Sequence, residues 1–434
     1  MIIQILQLIM EKLFIMKLTN DQENALRTFE QFIDDPEEKY MIIQGDSGTG
    51  KSTLIKMIMH YIRSTEKMYQ LLLQEETAKW QISLTATTNK AAHVLSEMLK
   101  EEVCTIHSFL HLQVRPDFTT GETILTPSKT YALIHDSLII IDEASFIDNK
   151  LFAYIHDTTI NCKIILIGDQ YQLAPVKQIV PVMHDLQCKY YANLTEIMRN
   201  KGPISELGVQ FKNSVKTSIF TPIECNTPII IHVDGNTFKQ LINDAFLSPY
   251  YKPSTAKILA WTNDRVLEYN AHIRQIKKYD AEFSVDECVV TNKPILTKGA
   301  FHPVDTHIII THIGQSHIKF DVPVITIQIN GNENTNYLLP TDRQAYKTAI
   351  KKFAKLKDWP NYFAIKDNWL DLRSVYASTV YKSQGSEYEV VFLDLSDIST
   401  CHIPTNVARM LYVAITRATK KVVLYGKLAE KYGG

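Results

Sequence analysis

The sequence contains no pair of cysteines with C-x-x-C spacing, although it has six cysteines in all. They are spread from Cys104 to Cys401, so the spacing indicates neither a zinc site nor a disulfide framework. Scattered thiols of this kind are usually isolated and buried, and they fit a reducing compartment. Structural cross-links and cysteine-based metal chemistry are therefore not expected.

The chain also lacks an excess of charge and an apolar run long enough to cross a membrane. Its formal net charge is -1 and its pI is about 6.9, so the total does not signal nucleic-acid binding, although a neutral total can include a basic groove. The N-terminal stretch is apolar, but its nearly uncharged part ends at Glu11, short of the roughly 20 residues that span a bilayer. We expect residues 1–16 to be either an amphipathic cap helix or an extension upstream of a true start at Met16.

Buried strands alternate with amphipathic helices from Leu18 to Asn200. The runs KYMIIQG, QISLTAT, SLIIIDE and KIILIGD are almost continuously apolar, which is typical of strands covered on both faces of a parallel sheet. KSTLIKMIMHYIRS and NKAAHVLSEMLKE have the spacing of crossover helices. The pattern predicts a doubly wound α/β domain, interrupted by a β-hairpin at about residues 113–130.

A second α/β pattern follows, as expected for a chain of 434 residues, which is too long for one core. KILAWT, EVVFLDLS and KVVLYG are predicted strands, and NVARMLYVAITRAT is a predicted helix. NDRVLEYNAHIRQIKKY is a further predicted helix, with Asn263 as its N-cap. Residues 278–370 predict a small β-barrel-like insertion, followed by the basic helical segment DRQAYKTAIKKFAKLKDW. That segment is either a phosphate contact or a solvated face.

A glycine-rich loop follows the first predicted strand. The stretch GDSGTGKST satisfies G-x-x-x-x-G-K-[ST] with Gly45, Gly50, Lys51 and Ser52. Glycines allow backbone N–H groups to close around phosphate oxygens, and the next helix adds the partial positive charge of its N-terminus. Lys51 supplies a charge to the β- and γ-phosphates, and Ser52 is a ligand for Mg²⁺. The predicted phosphate-binding residues are Gly45, Asp46, Ser47, Gly48, Thr49, Gly50, Lys51, Ser52 and Thr53.

Acidic and amide side chains follow two other predicted strands. Asp142 would hold Mg²⁺ through water, and Glu143 would orient or deprotonate the attacking water. GTPases generally lack this second acid. Asp169 and Gln172 lie just beyond KIILIG, at the edge where parallel strands end and ligands bind. Gln172 can hydrogen-bond the γ-phosphate, so these residues predict a site of nucleotide hydrolysis.

Eight short motifs occur in order from about Leu18 to Val423. They are GDSGTGKST, LTATTNKAAHVL, TIHSFL, IIIDEAS, GDQYQLAPV, LTEIMRN, STVYKSQGSEY and LYVAITRAT. This set resembles the motifs of superfamily 1 helicases of the RecD/Dda branch, and of phage Dda-type helicases in particular. The resemblance implies an α/β fold with two RecA-like P-loop domains with parallel sheets. It also implies a β-hairpin pin in the first domain and a small SH3-like β-barrel insertion in the second.

The same resemblance divides the chain into segments. Residues 1–16 are an N-terminal extension, and residues 17–200 are the first RecA-like ATPase domain with its hairpin at about 113–130. The second RecA-like domain comprises residues 201–277 and 371–434, and residues 278–370 are the SH3-like insertion with its helical piece.

Individual roles also follow from the resemblance. Gln22 in LTNDQENAL resembles the glutamine that reads adenine, Gly385 and Glu387 match positions near the γ-phosphate and ribose, and Arg417 matches the arginine finger. The alternatives are a surface glutamine at Gln22 and a helix-end arginine at Arg417. Arg199 resembles an arginine that contacts the γ-phosphate. An arginine at that position would stabilise the negative charge of the transition state. The implied cofactors are ATP and Mg²⁺, with Ser52 and Asp142 as metal ligands. The candidate catalytic residues are Lys51, Asp142, Glu143, Gln172, Arg199 and Arg417.

The family also holds a DNA strand across both domains, by backbone amides, hydroxyls and stacked aromatic rings. Phe118 in the hairpin is either an end-stacking residue of a strand-separating pin or ordinary hairpin packing. For the other positions the alternative is capping or turn chemistry, with Asn89 or Asn263 starting a helix. The candidate nucleic-acid contacts are Thr87, Thr88, Asn89, Thr105, His107, Phe118, Trp261, Thr262, Asn263, Ser378, Thr379 and Lys382.

The resemblance implies an ATP-dependent DNA helicase, driven by hydrolysis in the cleft between two RecA-like domains. TATTNK has a threonine where 3′→5′ relatives carry a stacking aromatic, and this and the SH3-like insertion favour 5′→3′ movement. The implied partners are single-stranded DNA, ss/ds junctions and replication or recombination proteins such as a single-strand-binding protein. The protein is expected to be a cytoplasmic monomer without membrane contact. Two alternatives remain, an RNA remodeller of the same superfamily and a scaffold with a vestigial phosphate loop, which the intact catalytic set disfavours.

Overall fold

The computed structural model describes residues 18–73, 80–116, 123–173, 182–198, 202–225, 227–279, 281–297, 300–331 and 335–434. These residues divide into two compact units. The first contains the described residues up to Gln113 together with Pro127–Thr217, and the second contains Val114–Thr126 together with Ser218–Gly434. The first unit thus continues past residue 200, the predicted domain boundary. The predicted extension at residues 1–16 lies outside the described residues.

The first unit, and the hairpin that interrupts its sequence, are built from short strands and helices. The strands are β1 (Tyr40–Gly45), β2 (Gln81–Ala86), β3 (Cys104–Thr105), β4 (Leu112–Pro116), β5 (Thr123–Pro127), β6 (Ile134–His135), β7 (Ser137–Asp142), β8 (Thr159–Ile160), β9 (Lys163–Gly168) and β10 (Tyr190–Leu194). The helices are α1 (Asn20–Asp34), α2 (Lys51–Leu73), α3 (Asn89–Leu99), α4 (Ile106–Phe109), α5 (Asn149–Thr158), α6 (Val182–Asp185) and α7 (Pro203–Thr217).

A six-stranded sheet in the order β10-β1-β9-β7-β2-β3 forms the centre of the first unit. Its strands pair in parallel, and β7 and β9 are buried along their whole length, which explains their continuous apolar sequences. Ala86 lies opposite Asp142, and Gln44 lies opposite Gly168. The carboxyl ends of these strands therefore meet at one edge, where the phosphate loop and the acids follow them. The predicted α/β sheet is confirmed.

Strands β4 and β5 form a separate two-stranded sheet, as expected for the predicted hairpin, but Val114–Thr126 belong to the second unit rather than the first, and the role of the hairpin as a pin stays a prediction. Its tip, including Phe118, lies outside the described residues.

The second unit begins with a parallel sheet and contains a long insertion. Its strands are β11 (Ile230–Val233), β12 (Ala256–Ala260), β13 (Cys288–Thr291), β14 (Ile295–Thr297), β15 (Ala300–His302), β16 (His307–Lys319), β17 (Val322–Ile329), β18 (Tyr337–Pro340), β19 (Leu372–Ser374), β20 (Ala377–Thr379), β21 (Tyr388–Asp394) and β22 (Ala418–Tyr425). Its helices are α8 (Gly235–Leu247), α9 (Asn263–Ile276), α10 (Arg343–Leu356), α11 (Trp359–Asn368), α12 (Val380–Ser383), α13 (Leu395–Ser399) and α14 (Pro404–Thr416).

Two sheets organise this unit. The parallel sheet has the order β11-β22-β21-β12-β20, and the antiparallel sheet of the insertion has the order β18-β17-β16-β13-β19. The antiparallel sheet has its own core, which includes Val289, Ile310 and Ile327. Because β19 belongs to it, this sheet extends beyond residue 370. The basic helical segment is confirmed as α10 and is followed by a further helix, α11, whereas the SH3-like assignment stays a prediction.

One helix start differs from the prediction. Thr262, not Asn263, is the N-cap of α9: its backbone is extended, and its hydroxyl accepts a hydrogen bond from the Arg265 amide at 3.3 Å. Asn263 is already the first helical residue. The prediction was wrong because two adjacent polar residues are both competent caps, and the backbone favours the earlier one.

None of the described helices combines the length and apolar content that a membrane span needs.

Candidate nucleotide and nucleic-acid site

The loop between β1 and α2 is organised around one carbonyl. The Asp46 carbonyl accepts hydrogen bonds from the Thr49 amide at 3.3 Å, the Thr49 hydroxyl at 2.9 Å and Lys51 Nζ at 3.0 Å. Gly50 has a φ of 80°, and a Cβ there would collide with the side-chain amide of Gln22. Glycine is required at this position for both reasons. The predicted phosphate loop thus has the turn and the charge that its motif calls for.

Gln22 lies against this loop and is buried. It completes a capping box at the start of α1, in which its amide donates to the Thr19 hydroxyl at 3.2 Å and its Oε1 accepts from the Thr19 amide at 3.1 Å. Its Nε2 donates to the Thr49 carbonyl at 3.3 Å. Gln22 is therefore tied to the phosphate loop rather than exposed at a surface, and its reading of adenine stays a prediction.

The acid pair stands at the end of β7, beside the loop. Burial raises the pKa of Asp142, and Lys51 opposes this shift. The Glu143 amide donates to Asp142 Oδ1 at 2.9 Å, and Glu143 has a left-handed backbone with a φ of 53°. Thr87, a predicted nucleic-acid contact, donates through its amide to the Asp142 carbonyl at 3.2 Å and through its hydroxyl to the Glu143 carbonyl at 2.9 Å. Two hydrogen bonds from Thr87 thus join the backbone carbonyls of the acid pair to the loop after β2.

The other predicted sensors of the first unit follow β9 and β10. Gln172 Nε2 lies 3.5 Å from Asp169 Oδ2, and both residues are buried. The Met198 amide donates to the Gly48 carbonyl at 2.8 Å, so the segment before Arg199 is attached to the phosphate loop. Arg199 itself lies outside the described residues.

The second unit brings its three predicted nucleotide residues together. Arg417 is buried at the end of α14, and its Nη1 donates to the Ser386 carbonyl at 3.3 Å. Ser386 lies between Gly385 and Glu387 in the chain, and Gly385 has a φ of 69°. This clustering agrees with the predicted roles, which stay predictions.

Four of the five threonines among the predicted nucleic-acid contacts share one local structure. Thr88, Thr105, Thr262 and Thr379 are the N-caps of α3, α4, α9 and α12, and each hydroxyl oxygen accepts a backbone hydrogen bond. A hydroxyl that accepts in this way can still donate its hydrogen. Capping and phosphate contact are therefore compatible, except at Thr262, whose hydroxyl already donates to Asp397 Oδ1 at 2.6 Å.

Asn89 is the first residue of α3, after the Thr88 cap, and His107 lies in α4. Burial lowers the pKa of His107, and Asp148 opposes this shift. The neutral form of His107 is therefore favoured, and its contact with nucleic acid stays a prediction.

A groove of about 990 Å³ runs along the second unit between the parallel sheet and the insertion. Its lining includes the predicted contacts Asn263, Ser378, Thr379 and Lys382, but not Trp261 or Thr262. The basic residues of its lining are Arg274, Arg343, Lys347, Arg373 and Lys382, and the acidic ones are Asp264, Glu282 and Asp371. Arg274 and Arg373 are paired with Glu287 and Asp305, which lie outside this lining, so the cations of the groove best suited to phosphates are Lys347 and Lys382.

The comparisons with known proteins agree with this geometry. A family model described as an AAA domain matches residues 17–212, and one described as a UvrD-like helicase C-terminal domain matches residues 374–425. The ATP-dependent DNA helicase dda of Enterobacteria phage T4 is 25% identical, over 92% of this chain and 97% of that protein. The chain is a superfamily 1 helicase of the Dda type.

Solved structures of Pif1 helicases share the fold. Pif1 helicases solved in a study of unwinding at forked dsDNA give a TM-score of 0.51 at 15% identity, over 96% of this chain and 94% of that chain. Pif1 helicase from Bacteroides, in complex with ADP-AlF3 and ssDNA, gives a TM-score of 0.51 at 13% identity, over the same 96% and 94%. The two parallel sheets are accordingly those of two RecA-like domains.

The oxygen donors of this helicase suit Mg²⁺, a hard cation that binds one or two carboxylates together with substrate phosphates. The Ser52 hydroxyl lies in the first turn of α2, and the Asp142 carboxyl at the end of β7 is buried, so that a cation beside it would favour its ionised form. The donor set therefore fits the ion.

Three residues of the second helicase domain were missed by the sequence analysis. Asp397 accepts hydrogen bonds from the Trp261 amide at 2.6 Å and the Thr262 amide at 2.9 Å, and so fixes that turn. Arg343 and Arg373 line the groove. No sequence signal could have found Asp397, because its partners lie more than a hundred residues earlier in the chain, whereas the basic segment did point towards Arg343.

Proposed function

We propose that this protein is an ATP-dependent DNA helicase that moves 5′→3′ on single-stranded DNA and unwinds duplexes. The observation that carries the proposal is the chain of hydrogen bonds between the acid pair and Thr87, in which the Asp142 and Glu143 carbonyls both accept from that residue. A change at the acids on ATP hydrolysis would therefore move a residue at the predicted DNA-binding edge. The DNA helicase activity of the phage T4 relative supports the same function.

The residues of the phosphate loop bind and orient ATP. Backbone amides and Lys51 bind the phosphates, and Glu143 orients or deprotonates the attacking water. Ser52 and Asp142 would hold Mg²⁺, which when bound neutralises charge on the phosphate oxygens. Arg417, and Arg199 outside the described residues, are the arginines proposed to stabilise the charge of the transition state.

The proposed DNA contacts are hydroxyls and helix N-termini in both units, together with the basic groove of the second unit. Backbone contacts of this kind need not read the 2′-OH, so RNA is the competing substrate. ATP hydrolysis measured with poly-dT and with poly-U distinguishes the two. We expect stimulation by poly-dT; stimulation by poly-U alone would favour an RNA remodeller.

The direction of movement is tested with duplexes that carry a single-stranded tail at one end. We expect unwinding of the 5′-tailed duplex and little unwinding of the 3′-tailed one. Unwinding of the 3′-tailed duplex alone would reverse the proposed polarity.

We also propose that the enzyme acts as a monomer in the cytoplasm, at ss/ds junctions and together with replication or recombination proteins such as a single-strand-binding protein. Light scattering of the enzyme with a forked DNA, with and without such a protein, tests the stoichiometry. A stable dimer on one fork would contradict the monomer.

A further inference from the structure

Asp46 makes two kinds of contact in the phosphate loop. Its backbone carbonyl and its side-chain carboxylate accept hydrogen bonds from different residues. The carbonyl accepts from the Thr49 amide and the Thr49 hydroxyl, so it sets the turn, and it holds Lys51 Nζ together with the Gly45 carbonyl, which accepts from the same group at 2.8 Å. The carboxylate accepts a hydrogen bond from Lys212. Anything that holds the carboxylate therefore also positions Thr49 and Lys51.

Lys212 reaches this carboxylate from α7, the last element of the first unit. The side chains of the pair are 15% and 10% exposed, so water screens their attraction little. Lys212 Nζ also lies 4.9 Å from the centre of the Tyr171 ring. Tyr171 lies between Asp169 and Gln172 in the chain. A single ammonium group thus contacts both the phosphate loop and the segment that carries the predicted γ-phosphate sensor.

The charges around Asp46 explain why a lysine is needed there. Burial and the nearby Asp169 raise the pKa of Asp46, while Lys212 and Lys51 oppose the shift. Without Lys212, the Asp46 carboxylate would be a buried charge facing another acid, and it would either take up a proton or move towards water. Either change displaces the carbonyl on which the loop depends.

We propose that Lys212 is a positioning residue of the ATPase centre, which holds the phosphate loop through Asp46 and aligns it with the Asp169–Gln172 segment through Tyr171. This inference rests on the proposed ATPase function and extends it to a residue outside the motifs. The chain enters the second unit directly after α7. Lys212 is therefore also the point at which the nucleotide loop is attached to the connector between the two units.

The test compares Lys212→Met with Lys212→Arg and with the matched control Lys216→Met. Lys216 is an exposed residue of the same helix. Its Nζ lies 5.2 Å from the centre of the Tyr171 ring, but it does not take part in the hydrogen bond to Asp46. The measurements are KM and kcat for ATP with saturating dT oligonucleotide, the Kd of a fluorescent ADP analogue, and the melting temperature. For Lys212→Met we expect KM and Kd to rise about tenfold, because one charge-assisted contact is lost. The change in kcat should be smaller. Lys212→Arg and Lys216→Met should stay within about twofold of wild type.

A second variant separates positioning from stability. Asp46→Asn combined with Lys212→Met removes the uncompensated charge, so its melting temperature should recover while Kd for ADP stays high. Recovery of both would mean that Lys212 is only structural, and unchanged KM and Kd in Lys212→Met would also contradict the proposal. If the wild-type protein neither bound nor hydrolysed ATP, the proposed function itself would fail, and this inference with it.

Discussion

In both RecA-like sheets, short turns connect strands to the helices that follow them. The backbone amides of these turns have different partners in the two units. In the first unit, β1 leads through Gly45–Gly50 into α2, and the G-x-x-x-x-G-K-[ST] motif of this loop predicts that its backbone amides bind phosphate. In the second unit, β12 leads into α9, and the Trp261 and Thr262 amides both donate to Asp397. At the β11–α8 turn, the Asp234 carboxylate accepts from the Asn236 and Thr237 amides. Carboxylates of the chain itself thus occupy the anion positions of the second unit.

This difference shows how one topology serves two purposes. A strand–turn–helix unit binds a nucleotide where glycine keeps the amides accessible, and it becomes a fixed platform where an acid fills them. The positive charge of the second unit lies instead in the groove beside the insertion, where it suits a polyanion rather than one nucleotide. The predictions below test each side of this division.

The largest effect is expected from Lys51→Ala in the accessible turn. The variant loses the charge on the β- and γ-phosphates, so kcat for ATP should fall about a thousandfold. Affinity for dT oligonucleotides should persist, because Lys51 is not among the DNA contacts. Lys56→Ala, on the exposed face of the same helix, is the control and should hydrolyse ATP normally. Normal hydrolysis by Lys51→Ala would contradict the assignment of the loop.

The filled turn at β12–α9 is disrupted by Asp397→Ala. Loss of a charged acceptor for two amides and a hydroxyl should lower the free energy of unfolding by roughly 3 kcal/mol. Urea denaturation followed by the fluorescence of the tryptophans measures this change. ADP affinity should be unaffected in the folded protein, because the phosphate loop belongs to the other unit.

Asp244→Ala is the matched control for this variant, since Asp244 is an exposed aspartate on α8 of the same unit. Equal stability of the two variants would mean that Asp397 does not fix the turn.

The features that could be predicted from the sequence are those encoded in contiguous residues. The buried strands and the G-x-x-x-x-G-K-[ST] loop are local patterns, because burial on both faces and phosphate binding each constrain neighbouring positions. The hairpin was predictable for the same reason, from its turn residues.

The rest depends on contacts between distant parts of the chain. Asp397 meets Thr262 across the sheet, and Lys212 meets Asp46 from a helix that follows the whole first sheet. Neither Asp397 nor Lys212 has a local signal that distinguishes it from a solvated side chain. Thr87 illustrates the converse: its position in the motif was correct, but only the structure reveals its bonds to the acid pair. Composition also concealed the basic groove, because its basic residues belong to four elements that are separated in the chain, α9, α10, β19 and α12.

The groove should bind DNA in a pH-dependent way through Lys382. Burial of the ammonium group and the nearby Arg373 lower the pKa of Lys382 to about 8, although Asp371 opposes the shift. Its positive charge is present below that value and is lost as the pH rises through it. Affinity for a dT oligonucleotide should therefore fall about threefold to fivefold between about pH 7 and pH 9, as one phosphate contact is lost.

Lys382→Arg removes this titration, because a guanidinium stays charged over that range. Fluorescence anisotropy at constant salt measures both proteins. Parallel pH profiles for wild type and Lys382→Arg would mean that Lys382 does not contact the phosphates.

The smallest effect is expected at the exposed turn between β11 and α8. Asp234→Ala removes the cap from the Asn236 and Thr237 amides, and the melting temperature should fall by about 2–4 °C. Hydrogen bonds from Thr237 and Asn236 lower the pKa of Asp234, so the cap stabilises the protein above the ordinary aspartate range and loses this effect as the pH falls through the lowered pKa. Asp234→Asn, an equally good cap without charge, should melt like wild type at neutral pH. If Asp234→Asn melted as low as Asp234→Ala, the negative charge rather than the hydrogen bonds would stabilise this turn, and the carboxylate would act as a true substitute for a bound anion.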